Sequence, residues 1–262
     1  EIGTKLFVSQ HGGHYGVGKW NSSEKHEVAI SDVFLSWGWS GKSVKKIDAS
    51  KLVNIEKRLW HDPVGRVVLV QGLAPRYSYW QYSIPIASQW EGYINDQIRF
   101  VDCLPVDIRN ELLVRLYSSD YEWSQEERWL SKFPNMKFHA LNKPIDDAIK
   151  QSRIFIGTYN ATTFLETFSA NIPTILFWDK EKWEIRGEAE VYFDMLYEKG
   201  ILHYSPEAAA NKVAEIWPDI DGWWFSAETQ LARINFINCY ANITNKWKSN
   251  WVDLLNSEEK IF

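Results

Sequence analysis

Arg153-Ile154-Phe155-Ile156-Gly157-Thr158-Tyr159-Asn160-Ala161-Thr162-Thr163-Phe164-Leu165-Glu166 passes from an apolar run, through small polar residues, into a helical pattern. A short continuous apolar run such as 154–156, within a strand over 153–157, is the kind buried on both faces of a parallel sheet. In open parallel sheets, ligands sit beyond the carboxyl ends of the strands, where loops enter helices. Thr158, Asn160, Thr162 and Thr163 offer hydroxyl and amide groups at that place, and a helix over 162–170 adds the unpaired N–H groups and dipole of its first turn. The expectation is an anionic, nucleotide-linked ligand at this helix N-terminus. Glu166 falls four residues after Thr162, one turn deeper on the same face, where a carboxylate accepts both hydroxyls of a ribose. Thr163-x-x-Glu166 also reads as a capping box, in which the glutamate only satisfies backbone donors.

The same alternation extends upstream and downstream. Strands are expected over 67–70, 112–117, 136–139 and 173–178, and helices over 83–104, 124–133 and 144–149. This β-α-β-α-β order with short connections argues for an α/β fold, a Rossmann-like, mostly parallel sheet flanked by helices. The remainder from residue 188 reads as helix-dominated. Arg115, in Val114-Arg115-Leu116-Tyr117, emerges at the end of a neighbouring strand, where a guanidinium grips a phosphate with two parallel hydrogen bonds. Its bland alternative is an ion pair with Asp120. Residues 38–64 are polar and lysine-rich, a candidate linker, so the chain divides into 1–62, a partial N-terminal or cleft segment, and 63–262, the Rossmann-like domain.

Near the start, a strand over 4–10 feeds His11-Gly12-Gly13-His14-Tyr15-Gly16-Val17-Gly18, with four glycines in seven positions. Such a loop allows close backbone approach, and either imidazole donates or accepts a proton near neutral pH. It matches neither a P-loop nor the dinucleotide G-x-G-x-x-G fingerprint. Two histidines without a third ligand at recognisable spacing give no metal site. Glu24, Glu27 and Asp32 are the carboxylates near in sequence. Asp32, directly before an apolar strand over 33–37, is the candidate nucleophile or base for chemistry at an anomeric carbon, with His11 and His14 beside it.

The formal charge of −5 and pI near 5.7 give no general basic field to hold nucleic acid. The two cysteines, Cys103 and Cys239, sit in apolar helical-looking stretches, read as buried thiols with no disulfide framework. No apolar run approaches the ~20 residues of a transmembrane span, and no signal peptide is visible. A cytoplasmic location, or one peripheral to the inner membrane, is expected. The chain begins at Glu1 and enters a strand almost at once, which reads as a processed chain or a piece of a longer protein, with an N-terminal partner domain outside it as the expectation. Fifteen tryptophans and twelve tyrosines stand out, since aromatic rings also stack on sugars and bases.

The spaced motifs together carry a resemblance. Gln10-His11-Gly12-Gly13-His14-Tyr15-Gly16, Ile30-Ser31-Asp32-Val33-Phe34-Leu35-Ser36-Trp37-Gly38-Trp39, Val114-Arg115-Leu116-Tyr117, Thr158-Tyr159-Asn160-Ala161-Thr162-Thr163-Phe164-Leu165-Glu166-Thr167, Asn171-Ile172-Pro173-Thr174 and Trp223-Trp224 resemble the transferases of bacterial O-antigen and surface-carbohydrate loci. That family looks distantly similar to retaining Kdo glycosyltransferases that use a CMP-sugar. The resemblance implies a GT-B-like C-terminal domain with a partial N-terminal portion, and a metal-independent glycosyltransferase without a cofactor. Its partners would be a nucleotide-sugar donor, CMP-linked by preference, and a glycan acceptor. It implies that Arg115, Thr158, Asn160, Thr162, Thr163 and Glu166 bind donor, and that His11, His14 and Asp32 face the cleft, Asp32 as nucleophile or base. The rival readings are a nucleotide-sugar epimerase or hydrolase, a non-catalytic carbohydrate-binding module using aromatic platforms, and a structural remnant with a well-capped helix.

Overall fold

In the computed structural model, residues 4–259 are described, and they form two parallel sheets. The first contains β1 (Phe7–Ser9), β2 (Val33–Ser36) and β3 (Val44–Lys46), in that order, with α1 (Ser22–Ile30) joining the first two. Phe34 is paired with Val8 on one side and Val44 on the other. A 3-10 turn, Ser50–Leu52, and α2 (Ile55–Arg58) lead out of it. The expected linker over 38–64 therefore holds a strand and a helix, which its lysine content concealed.

The second sheet follows β4 (Arg66–Val70), α3 (Gln89–Cys103), α4 (Val106–Asn110), β5 (Leu112–Arg115), α5 (Gln125–Lys132), α6 (Ile145–Ile149), β6 (Ser152–Gly157), α7 (Thr162–Ser169), β7 (Thr174–Phe177), α8 (Gly187–Glu198) and β8 (Leu202–His203). Its order is β5-β4-β6-β7-β8, with each neighbouring pair parallel. Alternation divides the core between the two faces: Val67, Leu69, Ile154 and Ile156 pack with Phe100, Ala210 and Val213, while Val68, Val70 and Phe155 pack with Phe164, Phe168 and Phe236. Both faces are covered, as parallel sheets require. α9 (Pro206–Ile216), α10 (Ile220–Trp224), α11 (Ala227–Tyr240) and α12 (Trp247–Glu259) complete the chain.

α12 returns to the first sheet, where Trp251 and Leu254 pack on Val33, Leu35 and Ile47. Asp48 fixes this return: its carboxylate accepts from the Thr244 backbone N–H and from Asn250 Nδ2, and its carbonyl accepts from Trp251 Nε1.

Three local expectations are corrected. The helix expected over 83–104 begins only at Gln89, because Pro85 interrupts the pattern. Residues 136–139 supply one isolated bridge, Phe138 to Val114, instead of a strand. Cys103 is exposed, and Cys239 is half-buried at the margin of the core.

Candidate functional site

β4 lies between β5 and β6, so the chain leaves β4 toward one side of the sheet and leaves β6 toward the other. Such a reversal opens a crevice at the carboxyl ends of the two strands. A cavity of about 280 Å³ occupies it, lined by Gly72 and Leu73 after β4, by Tyr159, Asn160 and Ala161 after β6, and by His11, His14 and Tyr15 of the glycine loop. Trp80, Tyr82, Trp90, Tyr117 and Trp183 add aromatic walls.

Asn160 is 1% exposed, and neither its amide oxygen nor its amide nitrogen has a hydrogen-bond partner. Trp90 Nε1, on the same cavity, is likewise buried without a partner. An unmet buried polar group costs about 1–3 kcal/mol, so this amide is fitted to take a polar partner from the cavity, water or a bound ligand. No lysine, arginine, aspartate or glutamate lines the cavity among the described residues. His14 adds no charge, because burial pulls its imidazole down to about 4. The interior thus suits an uncharged ring, with an anion better accommodated at its edge, where α7 begins at Ala161 without a side-chain cap.

The glycine loop closes over that helix start. The Gly13 N–H donates to Thr162 Oγ1 at 2.9 Å. A Cβ at Gly13 would lie 2.6 Å from the Ala161 carbonyl oxygen, which is why glycine stands there. The loop is stitched to the second sheet's loops by Lys19 N–H to Glu184 O, Arg186 N–H to Val17 O and Ser22 N–H to Gln81 O. Beneath it, Glu24 Oε2 accepts the Gly16 N–H at 2.6 Å, and Glu24 Oε1 pairs with Arg186 at 2.8 Å.

At the cavity mouth, His11 Nε2 stands 2.8 Å from the Tyr15 hydroxyl and 3.1 Å from Glu27 Oε1, and Tyr15 also donates to Glu27 at 3.0 Å. With Tyr15 donating to Glu27, His11 Nε2 is the ring nitrogen that faces this pair, and Nδ1 takes no part in it.

The remaining expected site residues separate. Thr158 faces inward: its hydroxyl donates to Val70 O and accepts from Tyr93, whose oxygen accepts the Gly72 N–H. Thr163 bonds Tyr159 at 2.8 Å, bracing the cavity wall. Neither offers a free hydroxyl to the cavity.

Asp32 is corrected. It precedes β2, at the opposite end of the first sheet from His11, where it accepts the Leu6 N–H at 2.7 Å. A residue before a parallel strand cannot share the crevice beyond its end, and Glu27 of α1 is the carboxylate that reaches the mouth.

Arg115 is engaged by neither Asp120 nor the cavity. It donates to His139 Nδ1 and to the carbonyls of Ala140 and Leu141, and it does not line the cavity. Asp120 instead accepts the N–H groups of Ser124 and Gln125.

Glu166 forms no capping box, since the N-cap is Ala161 and puts Glu166 too deep in the helix. It faces α2, 3.8 Å from Arg58, away from the cavity, and burial pushes its carboxyl up against the opposing pull of Lys51 and Arg58. The aromatic walls and Asn21 carry no motif in the sequence; only the excess of tryptophan and tyrosine points to them.

Among the described residues, no group of three or more His, Cys, Asp or Glu stands together to hold a metal ion, and no helix is long and apolar enough to cross a membrane. The fold and cavity define a parallel α/β protein with a crevice at a topological switch point. The family profile described as LIC12162 family transferase matches residues 1–255, and the chain belongs to that family. No curated protein gives a significant match. Among solved structures, the crystal structure of WaaG, a glycosyltransferase involved in lipopolysaccharide biosynthesis, is similar at a TM-score of 0.38 and 11% identity, over 87% of this chain and 65% of that one. The chain thus spans about 65% of the length of that structure.

Proposed function

We propose that this chain is a glycosyltransferase, or its donor-binding part, moving a sugar from a nucleotide-activated donor to a glycan acceptor in surface polysaccharide assembly. One observation carries the reading: the buried, unpartnered amide of Asn160 in an aromatic cavity beside the start of α7. The donor's ring lies in the uncharged cavity, where Asn160 supplies two N–H donors and a carbonyl acceptor. Its phosphate lies at the first turn of α7, whose N–H groups and dipole stabilise charge on the departing oxygen. Thr162 belongs to that turn, held by Gly13.

His11 Nδ1 takes the proton of the acceptor hydroxyl as its oxygen bonds the anomeric carbon and the sugar–phosphate bond breaks. Glu27 and Tyr15 orient the imidazole. His14, kept neutral by burial, shapes the wall. The chemistry is proposed as metal-independent, with CMP the first nucleotide to test, and the location as cytoplasmic or peripheral to the inner membrane. Residues 1–62 and 63–262 are proposed as the two walls of the cleft.

The membership in a transferase family supports transfer over epimerisation or hydrolysis. The aromatic walls also suit a carbohydrate-binding module, which needs no nucleotide. The test is thermal stabilisation by nucleotides and its loss in Asn160→Ala: a response to nucleotide favours the transferase, and a response to glycan alone favours the module.

A further inference from the structure

Residues 76–82 read Arg76-Tyr77-Ser78-Tyr79-Trp80-Gln81-Tyr82, seven positions with a single formal charge. Trp80 and Tyr82 line the cavity, with ring centroids 6.0 Å apart. Tyr77 and Tyr79, immediately before them, are 87% and 89% exposed. The inner end is pinned by Ser22 N–H to Gln81 O, Ser83 N–H to Trp20 O and the Tyr82 hydroxyl against Ser23 Oγ at 2.6 Å. The outer end is held by Arg76, stacked 4.7 Å over the Trp123 ring. Two large rings are therefore held in solvent on a segment anchored at both ends and continuous with the cavity wall.

We propose that Tyr77, Tyr79, Trp80 and Tyr82 form a binding strip for a glycan chain, which guides the acceptor into the cavity; this rests on the transferase reading. Ring faces stack on the C–H faces of pyranoses, while phenol and indole groups hydrogen-bond the hydroxyls. The strip lacks the cationic cluster that nucleic acid or an anionic lipid surface requires. Its continuity with a cavity suited to a sugar ring fixes the occupant as the same chemistry in polymeric form.

Calorimetry of the full chain with size-fractionated oligosaccharides from bacterial O-polysaccharide, the constituent monosaccharides and phosphatidylcholine vesicles tests the strip. Affinity is expected to rise with oligosaccharide length. Tyr77→Ser with Tyr79→Ser, both at exposed positions where folding is little affected, is expected to weaken the longest oligosaccharide about tenfold. Monosaccharide binding and the melting response to nucleotide are expected to stay unchanged. Equal binding of long oligosaccharides by the variant, absence of length-dependent glycan binding, or binding to vesicles alone would each overturn the strip. Length-dependent glycan binding that the variant loses, in a chain that answers no nucleotide, would sink the donor-site reading and leave the strip standing.

Discussion

The Gly13 N–H and the Thr162 hydroxyl meet at 2.9 Å across 149 positions of sequence, seating the glycine loop on the first turn of α7. This contact joins the two ends of the candidate site, beside the bonds from Lys19, Ser22 and Arg186. It brings His11 and His14 to the cavity that Asn160 lines from the other side.

Gly13→Ala is expected to destabilise the fold by about 1–3 kcal/mol, the usual cost of overpacking a rigid site. The new methyl would meet backbone at 2.6 Å, which has little room to yield. Gly12→Ala is the control, because its Cβ would make ordinary contacts with Tyr15 and Thr162 at 3.6 and 3.8 Å. Urea denaturation of both checks this; equal midpoints would show that the loop is not seated as described.

Arg186→Met is expected to cost about 3 kcal/mol, because it leaves the Glu24 carboxylate buried without its cation. The double variant Arg186→Met with Glu24→Gln is expected to be more stable than Arg186→Met alone, since it removes the stranded charge while the amide oxygen that replaces the carboxylate can still accept the Gly16 N–H. A double-mutant cycle by chemical denaturation reads the coupling. Additive losses would contradict it.

His14 predicts a pH dependence. Its folded value is about 4 against 6.5 for the free group, so between those values the unfolded chain takes up a proton that the native state refuses. Stability from this residue is complete above pH 6.5 and falls as pH drops, by about 3 kcal/mol on reaching pH 4. Glu166 and Asp96, pushed up by burial, act with the opposite sign, so comparison with His14→Gln isolates the histidine. The wild type is expected to lose stability over this range more steeply than the variant. Parallel curves would argue against a buried neutral imidazole.

Asp32→Asn is expected to leave transfer unchanged, while His11→Ala lowers kcat about 10²–10⁴-fold, the range of general base catalysis. Glu27→Gln is expected to lower it less than His11→Ala, since Glu27 acts through the imidazole. Transfer assays with the active nucleotide sugar check all three; loss of activity in Asp32→Asn would return the role of base to that carboxylate.

The parallel sheet was legible because apolar runs such as Val67-Val68-Leu69-Val70 and Ile154-Phe155-Ile156 have few other uses. The loop after β6 was legible for the same reason, since strand ends mark ligand sites in such sheets. Which polar residues of that loop are free was not legible. Thr158, Thr163 and Arg115 look alike to Asn160 in sequence, yet Val70, Tyr159 and the carbonyls of residues 140 and 141 claim them. Where Asp32 lies was not legible, because closeness to the glycine loop in sequence says nothing about which end of a strand a residue occupies. The aromatic walls come from four separate segments, joined only by the crossovers between strands.

The central claim is that Asn160 holds a nucleotide-linked sugar, and thermal unfolding with CMP, UDP, GDP, ADP and CDP, with their sugar conjugates, tests it most directly. At 100 times its dissociation constant, one ligand is expected to add about 2.7 kcal/mol, a shift of about 5 °C or more for a chain of this size. Asn160→Ala without ligand is expected to melt within about 1 kcal/mol of the wild type, because the amide it lacks had no partner, and to show no ligand shift. An unchanged ligand shift in Asn160→Ala, or none with any nucleotide in the wild type, would contradict the claim.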